Sequence, residues 1–281
     1  MNTLKLGFSP CPNDTFIFDA LLHQRFPFEY KVEAQLYDVE KLNRLALSAE
    51  LEISKLSFAA YASVSDKYQI LNSGAALGRN CGPLLISKNA IDLQNMDSLK
   101  VAIPGKYTTA NLLLSIFFPQ LTNKIEVVFS DIEEGVLNGD FDLGLIIHES
   151  RFTYAEKGLI KVSDLGECWE SKFSKPIPLG CIAIRRDVPQ EVKESIQKGI
   201  ADSVKWAFEH PQDSRDYIQK HAQELSREVQ EKHIDLYVNQ FSIDLGAEGR
   251  DAIHLLLSYG HQVNLLPQCV EPIFINEKSK V

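Results

Sequence analysis

Short runs rich in β-forming residues alternate along most of the chain with stretches whose apolar positions recur at helical spacing. That alternation is the signature of an α/β protein, and it predicts a mainly parallel sheet. The predicted strands are Leu4–Phe8, Lys31–Gln35, Leu51–Ser54, Pro83–Ser87, Lys100–Ile103, Lys124–Phe129, Asp142–Ile147 and Gly180–Arg185. Beyond them the period changes. Val192, Ile196, Ile200, Val204 and Phe208 recur every four residues after Pro189, which suits a first helical turn. From there to about Gly260 the chain reads as all-helical.

Two apolar strands, Pro83–Ser87 and Gly180–Arg185, lead out of and back into the first strand series. This predicts two α/β lobes with a cleft between them: a discontinuous lobe of residues 1–87 and 179–281, and a second lobe of residues 88–178. A length of 281 residues agrees with two domains of about 150 residues or fewer. The segment SKPIPLG, residues 174–180, is the best hinge candidate.

Three turns between strand and helix carry hydroxyl, amide or carboxylate side chains. The first holds Asn13, Asp14 and Thr15; the second holds Ser57, ahead of Phe58 to Tyr61; the third holds Thr108 and Thr109 after Pro104-Gly105. Such residues commonly cap helices, and capping alone explains any one turn. Three together at the carboxyl edge of a parallel sheet would face one cleft, where helix N–H groups favour a small anion such as a carboxylate. None has phosphate-loop or dinucleotide-loop spacing.

His148 stands where the apolar run Leu143–Ile147 emerges, a position open to a general base or to a structural histidine bonded to its loop. Histidines 23, 210, 221, 233, 254 and 261 fall on predicted helices or their ends, away from the strand edges, and are set aside for that reason. Cys11, near a helix start where a thiol pKa can fall, is open to a nucleophile or, as free cysteines more often are, an inert thiol.

Charge narrows the partners. With 29 Lys and Arg against 38 Asp and Glu, the formal charge is −9. Basic residues are scattered among acids, so neither nucleic acid nor an anionic membrane is expected as a partner. Five cysteines without metal or disulfide spacing indicate free thiols in a reducing compartment. No apolar leader or membrane-length run is present, so a cytoplasmic location is expected. The long C-terminal helices leave room for a homodimer contact.

The blocks LGFSPCPNDTFIFDAL, SKLSFAAYA, SGAALGRNCGPLL, VAIPGKYTTANLLL, GLIIHESRFTY and YVNQFSIDLG resemble the 1,4-dihydroxy-6-naphthoate synthases of menaquinone biosynthesis, the futalosine route. The likeness runs from about residue 4 to residue 246. It implies a periplasmic-binding-protein type II fold and a lyase acting on cyclic dehypoxanthinylfutalosine, with release of dihydroxyacetone. It also implies His148 as proton acceptor, with Lys55, Leu56 and Ser57 at one helix start and Thr109 and Ala110 at another as substrate contacts. Asp14 and Arg79 are plausible neighbours. No metal or organic cofactor is implied. A non-catalytic anion-binding protein of the same fold and a chorismate dehydratase are the competing readings.

Overall fold

The computed structural model describes residues 3–91, 96–222 and 226–277. Five strands open the first sheet: β1 (Thr3–Phe8), β2 (Lys31–Leu36), β3 (Ile53–Ser57), β4 (Tyr68–Ile70) and β5 (Ala76–Gly78). The second sheet holds β6 (Leu84–Ser87), β7 (Val101–Ile103), β8 (Lys124–Glu126), β9 (Leu143–Ile146) and β10 (Ile160–Asp164), in the order β10-β6-β9-β7-β8. The chain then returns through β11 (Ile177–Arg185), which joins the first sheet in the order β2-β1-β3-β11-β4, with β5 also pairing β11. Strand Leu84–Ser87, expected as the end of the first lobe, therefore pairs in the second sheet.

The expectation of a mainly parallel sheet is corrected. Pairs β1·β2, β1·β3, β7·β8 and β7·β9 are parallel, but β11 runs antiparallel to β3, β4 and β5, and β6 runs antiparallel to β9 and β10. Crossing strands cause this, because a strand that enters or leaves a sheet without a helical crossover arrives in the opposite sense. The predicted strand Lys124–Phe129 stops at Glu126, and Phe129–Asp131 forms a 3₁₀ turn.

Among the described residues twelve helices cover the sheets: α1 (Pro12–Leu22), α2 (Val39–Leu47), α3 (Phe58–Val64), α4 (Thr109–Phe117), α5 (Ile132–Asn138), α6 (Ser150–Thr153) and α7 (Leu165–Phe173), then α8 (Gln190–Glu209), α9 (Arg215–His221), α10 (Arg227–Tyr237), α11 (Gln240–Ile243) and α12 (Gly246–Gln262). On α8, Ile196, Ile200 and Val204 are buried together with Phe16, Ile17 and Leu21 of α1, and with Leu4 and Leu6 of β1. Phe208 does not join that face: it is 43% exposed at the last turn and meets Phe16 edge-on. A second core runs through both sheets, linking Leu56 and Cys181 of the first to Leu85 and Leu143 of the second, with Trp169 fully buried. Loops at the strand ends are thus held against one another by continuous packing. Among the described residues no helix is long and apolar enough to cross a membrane.

Candidate active site

A cavity enclosing about 680 Å³, its mouth included, lies where loops of the two sheets meet. Its wall includes Asp14, Lys55, Leu56, Ser57, Thr109, Ala110 and His148, so every residue expected at the site is brought to one place. Arg79 is not among them; it is half-exposed and pairs with Glu248 at 2.9 Å.

The three turns are built differently from one another. In the first, Cys11 is the N-cap of α1 with Pro12 behind it, and Asn13, Asp14 and Thr15 lie inside the first turn, buried. Their capping role is corrected, because Pro12 at the first helical position starts the helix two residues early. Asp14 instead gathers four donors. Its Oδ2 accepts from the Ser9 N–H (3.1 Å) and hydroxyl (2.8 Å), and its Oδ1 accepts from Asn13 Nδ2 (3.0 Å) and Lys55 Nζ (2.9 Å). Lys55 Nζ also donates to the Gly74 carbonyl at 3.2 Å.

In the second turn β3 runs on to Ser57, which is the N-cap of α3 without a capping bond from its side chain. Asn43 holds it instead, accepting from the Ser57 N–H at 3.0 Å and donating to its hydroxyl at 3.1 Å. The third turn does behave as a cap: Thr108 Oγ1 accepts from the Asn111 N–H at 3.2 Å. That frees Thr109 to reach across. Its hydroxyl donates to the Leu179 carbonyl of β11 at 2.7 Å and accepts from the Ala59 N–H at the start of α3 at 3.3 Å.

A second bridge lies behind Thr109. Glu40 of α2, buried, accepts from the Tyr107 N–H at 3.1 Å, and Arg44 pairs with both Glu40 and Glu126. Burial pushes the Glu40 carboxyl above its ordinary range. Gly105, at φ +152°, fits under this carboxylate, since a Cβ there would lie 2.4 Å from Glu40 Oε2. Gly105→Ala is expected to cost about 1–3 kcal/mol in urea unfolding, from overpacking and backbone strain together. A loss below about 0.5 kcal/mol would show that Glu40 moves aside freely.

His148 follows β9 in the left-handed region, φ +58°, a conformation uncommon for a side chain with a Cβ. Backbone held there at a cleft wall is a mark of a functional position. Its ring meets Phe129 at 5.1 Å. Burial lowers its pKa from 6.5 to about 4; Asp14 opposes this and Lys55 reinforces it. The ring is therefore neutral and free to take a proton.

The sequence reading missed His233. Set aside as a helix residue, it stands on α10, 1% exposed, and lines the same cavity with its ring stacked on His148, centroids 6.1 Å apart and planes 8° from parallel. Its Nε2 pairs with Asn13 Oδ1 at 3.0 Å. Burial, and then His148, hold its pKa well below the ordinary value. A signal existed: Gln230, His233 and Tyr237 share the buried face of α10, where a polar stripe needs partners. Cys11, the N-cap of α1, is buried outside the cavity lining, and burial drives its thiol pKa well up, as suits an inert thiol.

The family described as "Menaquinone biosynthesis" matches residues 4–262. A Thermus thermophilus protein named 1,4-dihydroxy-6-naphtoate synthase is 46% identical over 275 residues, 98% of this chain and 100% of that one. One of the same name from Streptomyces coelicolor is 40% identical over 272 residues, 95% of each chain. The solved structure of AF1704 from Archaeoglobus fulgidus superposes with a TM-score of 0.89 at 34% identity, covering 94% of this chain and 98% of that one. The alkanesulfonate-binding protein SsuA from Xanthomonas axonopodis, bound to MOPS, superposes with a TM-score of 0.72 at 13% identity over 95% of both chains. That last likeness shows the fold alone, which is the periplasmic-binding-protein architecture of two α/β lobes around a ligand cleft. With its family matched over nearly all its length and two relatives above 30% identity, the chain belongs to the menaquinone biosynthesis family.

Proposed function

We propose that the protein is a carbon–carbon lyase that converts cyclic dehypoxanthinylfutalosine to 1,4-dihydroxy-6-naphthoate and releases dihydroxyacetone. The observation that carries this reading is a neutral imidazole, His148, in a cavity it shares with Lys55, Ser57 and Thr109. The ammonium of Lys55, the Ser57 hydroxyl and the N–H groups at the start of α4, near Thr109 and Ala110, suit the substrate carboxylate. Leu56 and Ala110 give the ring system apolar wall. His148 removes a proton from the bound ring system; carbon–carbon cleavage follows, and formation of the aromatic naphthoate makes the step downhill. Contacts from both sheets, such as Thr109 with Leu179 and Ala59, support closure that excludes water from the base. The scheme uses no metal or organic cofactor.

Incubating the purified protein with cyclic dehypoxanthinylfutalosine is expected to yield 1,4-dihydroxy-6-naphthoate on chromatography. Tight binding without turnover would support the anion-binding reading instead.

A pH profile tests the base separately. Because burial holds His148 at about 4, kcat/KM is expected to stay level as pH falls through 6.5 and to drop with a midpoint near 4. A midpoint near 6.5 would contradict the desolvated site. Between those values the unfolded chain takes up protons on His148 that the folded chain refuses, so stability also falls as pH drops through this window. Initial rates should therefore be paired with a fluorescence check of folding.

A further inference from the structure

Hydroxyl groups at the cavity wall are mostly committed to the protein. Ser9 donates to Asp14 at 2.8 Å, Thr108 to the Gly105 carbonyl at 2.8 Å and Thr109 to the Leu179 carbonyl at 2.7 Å. Ser57 accepts from Asn43 and keeps its proton for the substrate carboxylate. Tyr237 differs. It lines the same cavity and is 8% exposed, yet among the described residues its hydroxyl makes no hydrogen bond. Nor is the oxygen fully enclosed, as the orphaned Nδ1 of His233 is; it is reached from the cavity. A phenol nine-tenths buried at a ligand cavity, with its donor unspent, needs a partner that the protein does not supply.

The chain holds this phenol in place. Tyr237 ends α10, and its ring packs at 4.6 Å on His233, four residues back, which in turn stacks on His148. Just beyond, Asn239 Nδ2 donates to the Leu77 carbonyl of β5 at 3.0 Å, and the Ser242 hydroxyl donates to the Ala75 carbonyl at 2.9 Å. The end of α10 is thereby tied to the first sheet. A donor fixed in advance has no reorganisation to undergo as charge develops. Burial raises the phenol well above its ordinary range, so it stays protonated at working pH.

The proton that His148 removes leaves an electron pair behind. A C–H acidic enough for a neutral imidazole lies beside a carbonyl. As that bond breaks, its electrons form a carbon–carbon double bond, and the carbonyl π pair moves onto oxygen, which becomes one of the two ring hydroxyls of the product. The proton passes to His148 and no oxidation state changes. The oxygen gains negative charge inside the cavity, where a preset donor has its largest effect.

We infer that Tyr237 is a second catalytic residue, whose hydroxyl donates to the substrate oxygen that takes up negative charge as His148 removes the proton. The charge rests on the lyase reading; the open hydroxyl does not.

Tyr237→Phe removes that hydroxyl and keeps the ring. Naphthoate formation in a single turnover is expected to slow by about 10–1,000-fold, with substrate affinity within about threefold and the urea midpoint unchanged. Turnover within about threefold, a loss confined to affinity, or a lowered urea midpoint would overturn the role. A second readout needs no turnover. 5-Hydroxy-2-naphthoate and 8-hydroxy-2-naphthoate each carry the product's carboxylate and one of its ring hydroxyls. Bound to the unaltered protein, at least one is expected to ionise about one pH unit lower than when bound to Tyr237→Phe, read from naphtholate absorbance. That shift in a protein that forms no naphthoate would overturn the lyase reading and keep Tyr237 as an oxyanion donor. Equal ionisation in both proteins, with naphthoate formed, would overturn the donor and keep the lyase.

Discussion

Replacing His148 with Asn is expected to lower turnover by at least about 100-fold, the low end for a lost general base, while folding and substrate affinity stay close to those of the unaltered protein. Asn suits this test on physical grounds. His148 holds φ at +58°, and Asn tolerates that region better than Ala, Leu or Gln, so the backbone should keep its path. Its amide is too weak a base to take a proton at neutral pH. Circular dichroism and substrate titration separate a lost base from a lost fold. Turnover within about threefold of the unaltered protein would remove His148 from the chemistry.

The second large effect concerns stability. Asp14→Asn is expected to destabilise the protein by about 3–5 kcal/mol in urea unfolding at neutral pH, a large part of an ordinary total of about 5–15 kcal/mol. The Asp14 and Lys55 side chains are 2% and 7% exposed, so neither charge can turn to water. Four donors point at the carboxylate, from Ser9, Asn13 and Lys55, and an amide in its place sets its own N–H₂ against some of them. Removing Lys55 as well, as Asp14→Asn with Lys55→Met, should recover part of the loss, because no unpaired charge then stays buried. A single-variant loss below about 1 kcal/mol would show that water reaches the pair.

How far the sequence foretold this arrangement differs from element to element. Strands β1, β2, β9 and β11 declared themselves because each carries a run of apolar residues long enough to show the period of a pleated strand. β4 and β5, at three residues each, are too short for any period, and their pairing with β11 depends on long-range return of the chain. The sense of the pairing was illegible for the same reason. Hydrophobic spacing says which face is buried and nothing about which neighbour arrives, or from which end.

At the site, Ser57, Thr109 and His148 were legible because strand ends in α/β folds gather at one edge. Asp14 was found as a polar residue near a helix start, but its work lies in the ion pair with Lys55, 41 positions away. His233 was missed because α10 reaches the cavity by tertiary packing alone, and its meeting with Asn13 spans 220 positions. Only the folded chain brings that imidazole onto His148.

The most direct measurement is a single-turnover reaction with enzyme in excess over cyclic dehypoxanthinylfutalosine, quantifying both naphthoate and the three-carbon fragment, with His148→Asn alongside. Equal molar amounts of 1,4-dihydroxy-6-naphthoate and dihydroxyacetone from the unaltered protein, and neither from the variant while it still binds substrate, is the predicted result. Substrate bound but unchanged by the unaltered protein, or equal product from both, would contradict the lyase and its base.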